Sequence, residues 1–347
     1  MKPSRSKQIT AIYQQARIQE QAFVAFRLPN TDSVKCIVGN ISRTLTEGEE
    51  AFTFASFNPG QKPYYIKVAP TLSNEKKPAT ITPSKQKSTT KKQYYNLVKT
   101  IIQSIGSGDF KKVVAARVLA VDRPDTFDPI ILFEKLCSKY ATVFVSLTFI
   151  PSVGLWIGAS PEVLVSETKT RLTTYSLAGT KVIDDRTLWS AKEIEEQQIV
   201  TDFIHKKLRR TIDDKITITG PSTHDAGRIK HLLSVFTIAH SGKSIWKKVV
   251  KALHPTPAVA GMPQLKSVRF VTQHESFERA FYAGYLGTVN HHGKTDLFVN
   301  LRCMQVTDTQ LLFYAGCGIT ADSDPAKEWL ESERKIDILK SLIQEMI

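Results

Sequence analysis

A chain of 347 residues is long enough for one large core or two ordinary ones, and its 41% hydrophobic and 23% charged content is that of an ordinary globular protein. No apolar run approaches the roughly 20 residues that span a bilayer, which argues against a membrane partner, and the basic start MKPSRSKQITAIYQQARIQEQ has no apolar stretch behind it, so export is not expected. The formal net charge of +14 leaves nucleic acid, an anionic surface or an anionic small substrate open as partners.

The first region, 1–93, holds strand-like runs such as QAFVAFRLP and KCIVGNI, which are expected to pack on the same core as the rest. It ends in NEKKPATITPSKQKSTTKKQ (74–93), whose Lys, Ser, Thr and Pro content predicts a mobile, solvated linker. This stretch lacks the interleaved aromatics that base stacking requires, so no nucleic-acid partner is expected. QYYNLVKTIIQSI follows with apolar residues at helical spacing and stops at GSGD. Then come β-branched or aromatic runs punctuated by Gly, Pro, Asn and Asp: KKVVAARVLAV, ATVFVSLTFI, VGLWIGAS, VLVSET, RLTTYSLAGT, KITITG, AFYAGYLGTVNH, DLFVNLRCMQV and QLLFYAGCGI. Helices are predicted at 191–208, 231–239, 244–253 and 325–345. Short turns between strands favour antiparallel pairing, so the expected class is α+β, with large layered antiparallel sheets flanked by helices. Cys36, Cys137, Cys303 and Cys317 form no CxxC pair, which points to a reducing, cytoplasmic compartment rather than to a disulfide framework or a zinc site.

Two predicted helix starts carry paired glutamates. In DSDPAKEWLESERK, Asp324 is a plausible N-cap with Pro325 behind it, and Glu328, Glu331 and Lys335 share one face. Alone, Glu331 and Lys335 read as a solvated i,i+4 ion pair. In LWSAKEIEEQQIV, Ser190 and Glu193 form a capping box and Glu196 stands three residues on. If both first turns faced one cavity, their carboxylates would repel unless a hard cation such as Mg²⁺ sat among them. Glu193 has a structural role in its capping box; Glu196 has none. IGASPEVLV places Glu162 in a turn, either solvated or at a cavity rim. DFKKVVAARV sends Lys111 and Lys112 to opposite faces, so only one points inward, where desolvation could make it a base. Gly316 and Gly318 form a lone GxG, a weak signal. Arg302 stands amid Val, Leu and Cys and calls for an anionic partner. His254 begins a Pro-rich bend and reads as structural, His291 and His292 read as a hairpin loop, and His231 opens a predicted apolar helix facing either core or ligand.

Taken in order, KVVAAR, GASPEVLV, LAGT, SAKEIEEQQIV, HPTPAVAG, YAGYLGTV, LRCMQV, YAGCGI and DSDPAKEWLE resemble the chorismate-utilising enzymes, a family that includes isochorismate, salicylate, anthranilate and aminodeoxychorismate synthases. The resemblance covers about 94–347, which would be the chorismate-binding catalytic region. It implies an α+β fold of layered antiparallel sheets and Mg²⁺ bound at Glu196 and Glu331, with Glu193 and Glu328 supporting. It further implies substrate contacts at Lys335, Arg302, Tyr282, Gly316 and Gly318, with His231 near the reacting centre, Lys112 as the water-activating base and Glu162 as the general acid. Ala178, in the LAGT of Ala178, Gly179 and Thr180, stands where aminodeoxychorismate synthases carry a nucleophilic lysine, which disfavours a covalent route. The lysine of KVV suits water rather than ammonia as nucleophile, and HPTPAVAG, with Ala258, is more similar to isochorismate than to salicylate synthases.

The resemblance therefore implies an isochorismate synthase: neutral Lys112 takes a proton from water, which attacks C2 of chorismate while protonated Glu162 releases the C4 hydroxyl. A salicylate synthase, which goes on to eliminate pyruvate, is the alternative. An ammonia-using anthranilate synthase large subunit and a basic nucleic-acid-binding protein are more distant ones. No glutaminase subunit is expected, and a monomer or weak dimer is. Whether the product feeds menaquinone or a siderophore stays open.

Overall fold

The computed structural model describes residues 5–68, 85–226 and 229–346. In chain order its elements are α1 (Arg5–Ile18), β1 (Ala22–Arg27), β2 (Val34–Ser42), β3 (Ala51–Ala55), β4 (Tyr64–Val68), α2 (Lys91–Gly106), β5 (Lys112–Asp122), α3 (Pro129–Lys139), β6 (Phe144–Ile150), β7 (Gly154–Ser160) and β8 (Val163–Glu167). There follow β9 (Arg171–Val182), α4 (Ala191–Thr211), β10 (Ile216–Ala226), β11 (Ile229–Ala239), α5 (Trp246–Leu253), β12 (Gly261–Met262), α6 (Gln264–His274), β13 (Tyr285–His291), β14 (Lys294–Val299), β15 (Cys303–Val306), β16 (Gln310–Ile319) and α7 (Pro325–Gln344).

The strands join in one 16-stranded curled sheet, ordered β10-β11-β9-β8-β14-β13-β3-β4-β2-β1-β6-β7-β15-β16-β5-β12, and every pairing is antiparallel. This is the predicted α+β class. β1 to β4 lie in the middle of the sheet, so the first region makes no sheet of its own among the described residues. β1 shows why the centre is so apolar: alternation sends Ala22, Val24 and Phe26 into one core and Phe23 and Ala25 into a second. A strand buried on both faces cannot alternate apolar with polar. Helices α2, α4, α5 and α6 close the first core with Val98, Ile204, Val249 and Val271, while α1, α3 and α7 close the second with Ile9, Phe133 and Leu339.

Three expectations change. Residues 231–239 are not a helix: they belong to β11, hydrogen-bonded between β10 and β9. A short, mostly apolar run such as HLLSVFTIA reads alike as buried helix or buried strand. Of the predicted linker, 74–84 lies outside the described residues, but 85–93 is ordered against β5. Thr89 N donates to Val118 O at 2.9 Å, Ser88 Oγ accepts from Ala120 N at 3.0 Å, and Thr90 caps α2 in a capping box with Gln93. Such a cap stabilises a helix by about 1 kcal/mol. Finally, α1, α3 and α6 were not expected, although Asp128 and Pro129 start α3 with the same cap chemistry as Asp324 and Pro325.

Candidate active site

One cleft gathers residues of β5, β9, β11 and β16 with Glu196 of α4 and Lys335 of α7. It holds about 80 Å³ of free space, so a ring-sized ligand requires its wall side chains to move. Glu162, in the link between β7 and β8, lines it and is 3% exposed. Burial pushes its carboxyl up to about 8, against the pull of Lys112 and Lys335, so at neutral pH it is largely a proton-carrying acid. It is not a solvated turn residue. Lys112 opens β5 and is fully buried, while Lys111 beside it is exposed, as strand alternation requires. Lys112 Nζ does not itself line the cleft: it stands 2.9 Å from Glu196 Oε1, which does, and no well-aligned hydrogen bond reaches it. Gly318 of β16 makes this approach possible, because a Cβ there would fall 2.1 Å from Glu196 Oε1 and 2.7 Å from Lys112 Cε.

The two helix starts do face one place. Asp324 accepts hydrogen bonds from Ala326 N and Lys327 N, which sets α7 so that Glu328 is 1% exposed and Glu331 lies a turn further on. Glu331 pairs with Lys335 at 2.8 Å, and Lys335 Nζ also donates to Gly316 O at 2.9 Å. The i,i+4 ion pair is thus real, but its lysine lines the cleft and neither side chain lies on a solvated face. Burial works against the charge of Lys335, yet Glu331 and Cys317 hold its ammonium well above the usual lysine range. Burial also pushes Glu331 up, but Lys335 and Lys192 outweigh it and keep its carboxyl below the usual range. Glu328 goes the other way: burial and the Glu331 charge raise its pKa, although Lys192 bonds it directly. Cys317 Sγ and the Glu328 and Glu331 carboxylates lie within 4.8 Å of one another, and Glu196 acts on the same Lys192 ammonium. Two carboxylates this close, one of them raised by the other's charge, are a donor set that fits a hard dication. Glu193 is differently engaged: its carboxylate accepts from Ser190 N at 2.7 Å, as the capping box predicts.

The opposite wall holds His231, 7% exposed. Its Nδ1 is 2.6 Å from Gly179 O and 3.3 Å from Thr180 Oγ1, and its Nε2 is 2.8 Å from Arg302 Nη2. A nitrogen facing a carbonyl must carry the hydrogen, so Nε2 is the acceptor for the guanidinium. Burial, then Arg302 and Lys335, hold His231 well below its usual pKa, so it is neutral. Arg302 does not continue a strand as predicted. It links β14 to β15 with φ at 45°, a left-handed conformation that turns its side chain into the cleft, where burial lowers its pKa to about 10. Ala178, Gly179, Thr180, Ala258, Tyr282 and Gly316 complete the predicted set, all lining the cleft. A Cβ on Gly316 would come 2.9 Å from Tyr282 Oη, so glycine keeps that wall open. His254 is structural, its Nε2 3.0 Å from Ser56 O, and His291 and His292 do lie at the β13–β14 turn.

Sequence reasoning missed Lys192, which looks like a surface lysine in the first turn of α4 but bonds Glu328, and Leu301 and Tyr314, whose apolar bodies line the cleft. No chemical pattern marks these two in sequence.

Fold and site together define an enzyme. A family profile described as "Chorismate binding enzyme" matches residues 58–344, so the match begins well before 94 and includes the stretch read as a linker. The chain belongs to the chorismate binding enzyme family. It is 29% identical over 265 residues to the "Salicylate biosynthesis isochorismate synthase" of Pseudomonas aeruginosa, covering 73% of this chain and 55% of that protein. It is 26% identical to isochorismate synthase EntC of Escherichia coli K12, covering 66% of this chain and 61% of that protein. The match thus spans less than two thirds of either relative. A Bacillus anthracis structure titled as a putative 2,3-dihydroxybenzoate-specific isochorismate synthase, DhbC, shares the fold with a TM-score of 0.79 at 23% identity, over 98% of this chain and 100% of that one. The menaquinone-specific isochorismate synthase MenF of Escherichia coli does so with a TM-score of 0.78 at 19% identity, over 92% and 88%. Among the described residues no helix is long and apolar enough to cross a membrane.

Proposed function

We propose that the protein is an isochorismate synthase, converting chorismate to isochorismate. The observation that carries this reading is Glu162, a cleft-wall carboxyl held up to about 8 by burial, with the buried Lys112 standing behind Glu196 of the same cleft. A carboxyl that keeps its proton at neutral pH is what a general acid for a leaving hydroxyl needs. Lys112 takes a proton from water, whose oxygen bonds to C2 as the ring double bonds shift, and Glu162 gives its proton to the C4 hydroxyl, which leaves as water. Proton transfer between the two groups then resets the site. Arg302, Lys335 and the Tyr282 hydroxyl offer positive or hydrogen-bonding contacts to the substrate carboxylates, and neutral His231 orients Arg302.

Glu196 and Glu331 would hold Mg²⁺, with Glu328 and Glu193 supporting. The ion would neutralise and position the ring carboxylate. In the structure Glu196 faces Lys112, so the amine becomes available to water only when that carboxylate turns away. The likeness to isochorismate synthases supports the choice of product. The purified protein, given chorismate and Mg²⁺, is expected to form isochorismate without releasing pyruvate. Salicylate with pyruvate would make it a salicylate synthase instead, and anthranilate formed on adding ammonium would make it an ammonia-using enzyme.

A further inference from the structure

Strand β12 is only two residues long and pairs with β5 at Val113 and Lys112 alone. Past that point the outer edge of β5 is finished by side chains. Val114 N still donates to Ala260 O at 3.0 Å, but Val114 O accepts from Arg279 Nη2 at 2.7 Å, and Ala116 N donates to Glu275 Oε1 at 2.9 Å. An ion pair thus takes the place of the next rungs of the ladder, where backbone groups would otherwise be left unpaired. Glu275 and Arg279 meet through two bonds, Nε to Oε2 at 2.7 Å and Nη2 to Oε1 at 2.6 Å, and both side chains are almost wholly buried.

The same arginine reaches two further pieces of chain. Its Nη1 donates to Val259 O at 2.8 Å, in the bend 254–260, and its carbonyl accepts from Tyr282 N at 2.8 Å. The guanidinium lies over the Phe57 ring, 4.4 Å from its centre. Val114, Val259 and Tyr282 all line the active cleft, whereas Arg279 and Glu275 do not. Stability alone does not call for charge here, because a buried ion pair is often no better than apolar side chains of the same volume. Apolar side chains could not, however, fix three segments at set distances, as a planar five-donor fork locked by a carboxylate does. The cleft holds only about 80 Å³ of free space, so a small movement of one wall matters, and a 1 Å misplacement can cost about 100-fold. We infer that Arg279 is a positioning residue of the active site: held by Glu275, it sets β5, the 254–260 bend and Tyr282 at the spacing that admits substrate. The inference rests on the reading of this cleft as a chorismate site.

Arg279→Lys keeps a charge opposite Glu275 but loses the fork, and Glu275→Gln keeps an acceptor for Ala116 N but frees the guanidinium. Each full-length variant is assayed for chorismate turnover, and for Mg²⁺ affinity by calorimetry, at a temperature where circular dichroism shows it folded. A merely structural pair would lower Tm and leave KM, kcat and Mg²⁺ affinity per folded molecule at their wild-type values. The expected result is a KM for chorismate raised at least tenfold in Arg279→Lys and at least threefold in Glu275→Gln. Mg²⁺ affinity is expected to stay unchanged, because the pair bonds neither α4 nor α7. Should Arg279→Lys not fold, Glu275→Gln carries the same comparison. Rises in KM below these limits in folded variants, beside an active wild type, would overturn the inference and leave the chorismate reading standing, as would a Mg²⁺ affinity that falls in step with KM. A wild type that neither binds nor converts chorismate would overturn both.

Discussion

Glu162→Gln removes one proton from the proposed site and almost nothing from its shape. With its pKa at about 8, Glu162 is about 90% protonated at pH 7 and about 10% at pH 9. As the general acid it should give kcat/KM a basic limb, falling about tenfold per pH unit above pH 8, because kcat/KM reports groups of the free enzyme. Glutamine cannot give up a proton to a leaving hydroxyl, and loss of a general acid costs about 100- to 10,000-fold in rate. The assay is isochorismate formation by chromatography across pH 6–10, for both proteins. Stability adds a second readout. A carboxyl raised in the fold from 4.5 to about 8 stabilises the folded state fully below its unfolded pKa, and that stabilisation is lost as pH rises through about 8. The loss is on the order of 5 kcal/mol between pH 4.5 and 8, and Glu162→Gln should flatten it in denaturant titrations. A variant within tenfold of wild-type kcat, or a wild-type profile flat from pH 7 to 9.5, refutes the role.

Lys112→Ala is expected to lower kcat about 100- to 10,000-fold while Mg²⁺-dependent chorismate binding stays measurable by calorimetry; normal isochorismate formation would sink its role as the base. Gly318→Ala puts a methyl group against Glu196 and Lys112. It should weaken Mg²⁺ binding and turnover together with a smaller loss of Tm, and unchanged calorimetric Mg²⁺ affinity would contradict the placement of Glu196 at the metal. Arg279→Met strips the partner from buried Glu275, whose carboxylate it holds at 2.6 Å. Leaving one buried charge unpaired destabilises by about 3–5 kcal/mol, and a denaturation midpoint equal to wild type would show that the pair does not brace the link between α6 and β13 in which both residues lie.

What was legible in sequence follows the range of the interaction. The starts of α4 and α7 are written locally, in Ser190 with Glu193 and in Asp324 with Pro325, and both appear where those residues place them. Strand alternation likewise distinguishes Lys112 from Lys111. The pairing of β5 with β16, which brings Gly318 and Lys112 together, joins distant stretches and leaves no local mark. β11 was misread because four of its residues in a row, 231–234, are all buried, and a short run without alternation reads alike as helix or strand. Arg302 was placed on a strand because nothing in LRCMQV announces a left-handed arginine, and Lys192 was missed because a lysine among glutamates in a first helical turn is ordinarily solvated. The candidate residues themselves came from an ordered series of motifs, which composition alone could not have assembled.

The central claim is the reaction, and its most direct measurement is the product of the purified protein incubated with chorismate and Mg²⁺, resolved by chromatography with mass detection. Isochorismate in equilibrium with chorismate, with no pyruvate and no dependence on ammonium, is the predicted result. Chorismate left unchanged, or converted to salicylate and pyruvate, would contradict the account.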